Sequence, residues 1–217
     1  MPGSIKIDDG SGNYTILTNG GSLGSDKTIT IPNETATIAT TTATDLGGLV
    51  KLASGTFSSS ILTNGTFATD TYDRYLIHLT GLIPTSDGAA YRLKFMSGAS
   101  SYLTGNYYTG CYYTKTNASG NGTQSNVNTT AYSQLSLNTV GNTGTENAQI
   151  SIELLNPRTA KAKHASFIYM GNRDNFDNEI KSGFIQWSDA TAVTGVEITP
   201  DTGTFSSGTY QIYGFRK

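Results

Sequence analysis

Beyond about residue 50 the chain alternates apolar and polar positions with a period of two. In YRLKFM at 91–96, Tyr91, Leu93 and Phe95 fall on one side of an extended backbone, and Arg92 and Lys94 fall on the other. QISIEL repeats the pattern, with Ile150, Ile152 and Leu154 on one side and Ser151 and Glu153 opposite. Further extended runs are RYLIHL at 74–79, NYYTGCYYT at 106–114, SQLSLN at 133–138, ASFIYM at 165–170, GFIQWS at 183–188, GVEIT at 195–199 and TYQIYGF at 209–215. About nine strands are therefore predicted, joined mostly by Gly, Asn, Asp or Pro. The connections leave no room for helical crossovers, so the pairing should be antiparallel. The expected fold is all-β: an N-terminal β-ribbon or arm followed by an antiparallel β-sandwich, jelly-roll-like in type.

The first fifty residues have a different texture. YTIL at 14–17, KTITI at 27–31 and ATIAT at 36–40 are short β segments with only one or two Ile or Leu each, separated by Asn19-Gly20-Gly21, Gly24-Ser25-Asp26 and Pro32-Asn33. Ribbons with so little apolar area are marginal alone in water, so this arm is expected to anchor through Ile16, Leu17, Ile29, Ile31 and Ile38 onto companion chains or another protein. TTTATDLGGLV at 40–50 reads as a linker. The expected division is an anchoring arm with linker over 1–50 and a sandwich or knob domain over 51–217.

Composition narrows the classes of function. Thr, Ser, Asn and Gly make up roughly 45% of the residues, a mixture that disfavours helix. Only 14% of residues are charged and the net charge is -2, so no basic field exists to attract nucleic acid. No run approaches the ~20 apolar residues of a membrane helix, and the start lacks the basic-then-apolar pattern of a signal peptide. The lone Cys111 excludes an intrachain disulfide and reads as a small buried hydrophobe.

Catalytic patterns are lacking, and no catalytic, metal or cofactor residue is assigned. His78 sits in an apolar strand and reads as a packing residue, whereas His164 follows Lys161 and Lys163 and reads as a solvated strand edge. Asp174, Asp177 and Glu179 crowd one loop, and a cation site there or at Asp8 and Asp9 is weaker than the reading of solvated loop charge. The stretch with Tyr102, Tyr107, Tyr108, Tyr112 and Tyr113, followed by the long polar loop TKTNASGNGTQSNVNTTA, has the Tyr, Asn, Ser and Gly mixture of contact surfaces. Tyr107, Tyr108, Tyr112 and Tyr113 are therefore candidates for surface recognition, as are Arg173, Asn175 and Phe176 in a second loop. The competing reading packs these tyrosines inside the sandwich and against a neighbouring subunit.

Two segments carry a family resemblance. GSDKTITIPNETATIATTTATDLGGLVKL at 24–52 resembles the β-ribbon and linker near the start of bacteriophage tail-fibre and other virion-appendage proteins. GVEITPDTGTFSSGTYQIYGFRK at 195–217 is similar to the closing strands of their distal domains. The resemblance implies a non-enzymatic virion protein: a homotrimeric fibre whose arm binds other virion proteins of the tail, baseplate or capsid, and whose knob meets a host-surface glycan or protein. The chain lacks a long repetitive shaft, which raises a head fibre or capsid decoration protein as the alternative. A lectin or carbohydrate-active protein unrelated to virions is the third reading.

Overall fold

A computed structural model describes residues 4–8, 14–18, 48–105, 107–116, 122–128, 132–137, 140–172 and 178–216. The chain divides into two compact units, Met1–Leu46 and Gly47–Lys217. In the first, β1 (Ser4–Asp8) and β2 (Tyr14–Thr18) form an antiparallel pair with Ser4 opposite Thr18 and Asp8 opposite Tyr14. Ile16 and Leu17 lie in β2, opposite Lys6 and Ile5. The expected segments at 27–31 and 36–40, with Ile29, Ile31 and Ile38, fall outside the described residues, as does Asp9.

The second unit has two antiparallel sheets. The larger contains β3 (Leu49–Thr56), β5 (Tyr72–Pro84), β7 (Tyr107–Lys115), β8 (Gly122–Asn128), β10 (Ala148–Leu155), β11 (Lys163–Asn172), β12 (Asn178–Trp187) and β14 (Phe205–Arg216). Its spatial order is β3-β14-β5-β10-β11-β12-β7-β8. The smaller contains β4 (Leu62–Asn64), β6 (Tyr91–Met96), β9 (Ser133–Gln134) and β13 (Gly195–Pro200), in the order β4-β13-β6-β9. Setting β3-β14-β5-β10 against β4-β13-β6-β9 gives the eight interleaved strands of a jelly roll. Two inserted hairpins, β7–β8 and β11–β12, add to the β10 side and widen the larger sheet.

Burial of alternate residues holds the sheets together. Tyr75, Ile77 and Leu79 of β5, Ile150, Ile152 and Leu154 of β10, and Tyr91, Leu93 and Phe95 of β6 are all buried, as their alternation predicts. Phe95 stacks on Tyr107 at a centroid distance of 5.7 Å and meets Trp187 edge-on at 6.5 Å. The Tyr107 hydroxyl accepts from the Phe95 amide (2.8 Å) and donates to the Leu103 carbonyl (3.1 Å), so its polar end is satisfied inside the core.

Several expectations need correction. Part of the long polar loop after Tyr113 is strand: β8 pairs with β7 from Tyr107 opposite Asn128 to Tyr113 opposite Gly122. Backbone pairing to an existing edge suffices there, although Gly122–Asn128 carries almost no apolar residue. SQLSLN contributes only the two-residue β9, while β3 and β4 were not anticipated. His78 is no core packing residue; it is half-buried on the outer side of β5, opposite Ser151 and Gln211. His164 is solvated but lies on an interior strand, between Leu155 and Gln186. Cys111 is partly buried and packs against the core margin.

The aromatic junction at Phe95 predicts a large loss on truncation. Phe95→Ala should destabilise the sandwich by about 3–5 kcal/mol, read as a lowered denaturant midpoint at unchanged slope. A shift below about 1 kcal/mol would show that the stack does not anchor the two sheets.

Candidate interaction face

The outer side of the larger sheet is where exposed apolar residues gather. The ladders place side chains in cross-strand rows. One row runs Tyr213, Leu76, Glu153, Ser166, Phe184 and Gly110 across β14, β5, β10, β11, β12 and β7. The next runs Gln211, His78, Ser151, Ile168, Ser182 and Tyr112. A third brings Gln149, Met170, Ile180 and Thr114 into line. Phe184 is 53% exposed, Tyr112 51%, Ile168 49% and Ile180 47%, values far from those of a buried sheet face.

Large and small residues alternate on this face. Ser166 stands beside Phe184, and Ser182 stands between Ile168 and Tyr112. A shallow trough lined by Leu76, Ser151, Glu153, Ser166, Ile168 and Ser182 results. Phe184 is held in place because its partner is glycine: a Cβ on Gly110 would come within 2.4 Å of the Phe184 ring, so the ring lies across the bare β7 backbone. Tyr210 over Gly55 and Tyr113 over Gly122 repeat this cross-strand pairing of an aromatic with a glycine.

The two outer faces differ in charge. On the smaller sheet, Lys94 pairs with Glu197 at 2.9 Å and Arg92 with Asp201 at 3.3 Å, while Arg92 covers Tyr132 and Lys94 covers Tyr102. On the larger sheet, Arg74 pairs with Glu153 and stacks on Phe215, so those ions are matched within the chain. Among the described outward positions of β11, β12 and β7 there is no Asp, Glu, Lys or Arg.

Behind this face, the inward side of β12 turns polar toward its N-terminal end. Lys181 is fully buried and donates from Nζ to the Gln134 carbonyl at 3.0 Å. Glu179 is also buried, and its Oε1 accepts from the Leu137 amide at 3.1 Å. Burial pushes the Lys181 ammonium below its ordinary pKa, while neighbouring Cys111 and Glu179 pull it partly back. Lys163, also buried, donates to the Thr159 and Lys161 carbonyls and is likewise lowered by burial. These lysines are structural anchors: Lys181 ties β12 to the Gln134 carbonyl of β9, and Lys163 ties the start of β11 to carbonyls of the turn that precedes it. The expected solvated loop charge is thus wrong for Glu179, a buried acceptor for the Ser133–Leu137 segment; Asp174 and Asp177 lie outside the described residues.

The structure separates the sequence-predicted contact residues. Tyr107 is a core residue and cannot meet a partner. Tyr112 points outward and is open, Tyr108 is outward and half-buried, and Tyr113 sits on the inward parity, over Gly122. Arg173, Asn175 and Phe176 lie outside the described residues. Sequence reasoning missed Phe184, Ile168, Met170 and Ile180. In ASFIYM both parities are apolar, so alternation alone does not show which side faces out. Among the described residues, no three His, Cys, Asp or Glu side chains gather as a metal site, and no helix is long and apolar enough to cross a membrane. No protein-family model, curated protein or solved structure matches the chain.

Lys181 supplies a pH test of the buried anchor. Its folded pKa is lowered, so between that value and 10.5 the unfolded chain binds more protons than the folded one, and stability rises with pH. Lys181→Met removes this contribution. The stability of the unaltered protein minus that of Lys181→Met should therefore increase as pH is raised toward 10.5, measured by denaturant unfolding at a series of pH values. A difference independent of pH would mean that the ammonium is not desolvated.

Proposed function

We propose that this chain is a non-enzymatic virion structural protein: a short homotrimeric fibre attached by its N-terminal arm, presenting the jelly-roll sandwich as a knob to a host-surface glycan or protein. The observation that carries the reading is the division of labour between the two units. The described hydrophobic core, from Phe57 to Ile212, is closed by the second unit's own two sheets. Met1–Leu46 is a separate compact unit with a short β1–β2 pair, which suits an element used for attachment. The resemblance of 24–52 and 195–217 to virion-appendage proteins supports the same assignment. A hydroxyl-rich, charge-poor β fold also suits an assembly whose persistence rests on slow unfolding.

The reading predicts that removing residues 1–46 leaves a sandwich with a single cooperative melt but abolishes incorporation into particles. Full-length protein should slow adsorption of those particles to host cells when added in excess. Particle composition by mass spectrometry, adsorption counts and a low-resolution particle map check these outcomes. Equal incorporation of the truncated chain would remove the anchoring role.

A further inference from the structure

Cys111, Lys181 and Glu179 gather on the inward side of β7 and β12, beyond the aromatic junction. Cys111 is half-buried and open to small solutes, whereas Lys181 and Glu179 are fully buried. The ladder brings the thiol and the ammonium together. Gly183 stands directly opposite Cys111, and a Cβ there would come within 2.6 Å of the Cys111 Cβ, so β12 offers no side chain at that point. The nearest inward side chains of β12 are then the diagonal ones, Lys181 and Ile185, at a cross-strand spacing that a lysine spans. Lys181 closes the gap: its ammonium donates to the Cys111 sulfur as well as to the Gln134 carbonyl at 3.0 Å.

We propose that Cys111 and Lys181 are a built cross-linking pair, joined on oxidation by hydrogen peroxide through a sulfur–nitrogen bond that clamps β7 to β12. The steps balance within the pair. The Cys111 thiolate attacks one peroxide oxygen, the O–O bond breaks, and a sulfenic acid and hydroxide result. Sulfur is oxidised by two electrons and peroxide is reduced. The neighbouring ammonium gives its proton to the hydroxide, forming water. The Lys181 amine then attacks the sulfenic sulfur and the S–O bond breaks. The departing hydroxide takes a proton from nitrogen as a second water, and Sγ remains bonded to Nζ.

Three features prepare this pair. A cation beside a thiol favours the thiolate, the form that peroxide oxidises. Once the thiolate becomes a neutral sulfenic acid, the ammonium loses one of the two anions that hold its proton, and burial then favours the amine. Nζ already lies at the sulfur, so condensation competes with further oxidation at high effective concentration. The bond joins positions 111 and 181, closing a long loop, and so raises the barrier to peeling β7 and β8 from the sheet. This inference stands on the described sandwich alone and does not depend on the virion reading.

The test is intact mass and tryptic mapping of the full-length protein, purified under reductant, desalted and exposed to a small molar excess of hydrogen peroxide. Bridging should lower the mass by about 2 Da, stop trypsin after Lys181, and give one peptide pair carrying Cys111 and Lys181 that dithiothreitol separates. Lys181→Arg keeps the cation but offers no amine that sheds its proton. In that variant the sulfur should advance to sulfinic or sulfonic acid, a gain of about 32 or 48 Da, and dimedone should trap the sulfenic stage. If the variant fails to fold, the map of the unaltered protein decides. Sulfinic or sulfonic acid at Cys111 with trypsin still cutting after Lys181 overturns the pair, and so does a disulfide between the Cys111 residues of two chains. The bridged protein should also unfold in denaturant roughly tenfold more slowly than the reduced protein. Equal rates overturn the clamp.

Discussion

The mismatch between an eight-stranded sheet and its four-stranded cover governs this molecule. A sheet needs one face buried, and here the buried side is an aromatic junction of Phe95, Tyr107 and Trp187 flanked by Ile77, Ile150, Ile152 and Phe167. Toward the start of β12 the inward positions change character to Lys181 and Glu179. These ions are tolerable because each finds a backbone partner on the Ser133–Leu137 segment, which caps that part of the sheet. Leaving either partner unpaired in the same place would cost several times what the bond itself contributes.

The same mismatch explains the two outer faces. The smaller sheet wears ion pairs over aromatic rings, a surface content with water. The larger sheet carries aliphatic and aromatic residues among serines, with the Arg74–Glu153 ion pair on its central strands β5 and β10. A jelly roll whose first sheet is widened by two hairpins thereby gains a second, external surface without disturbing its core.

Glycine acquires a meaning here that its usual role in turns conceals. Gly55, Gly110 and Gly122 sit within strands, each directly opposite an aromatic residue whose ring lies over the bare backbone. The pairing fixes register and ring position together, because a one-residue slip would set a Cβ against the ring. It is legible in sequence only once the strand pairing is known, since two of the three pairs are distant along the chain: 55 and 210, 110 and 184.

The sequence alone determined the all-β class, the antiparallel pairing and the buried set of the cleanly alternating strands. Tyr91, Leu93 and Phe95, like Ile150, Ile152 and Leu154, could only turn inward while Arg92, Lys94 and Glu153 turned to water. Where both parities are apolar or aromatic, as in ASFIYM and NYYTGCYYT, periodicity is silent. Only the tertiary structure decided that Tyr107 is core and Tyr112 surface, and that Ile168 and Phe184 face out. The reason is physical: which side of a strand is buried depends on where the other sheet lies, and that is set by pairings across more than a hundred residues. Gly122–Asn128 became a strand for the same reason, since an unpaired edge on β7 offered its backbone groups hydrogen bonds that its own side chains did not advertise.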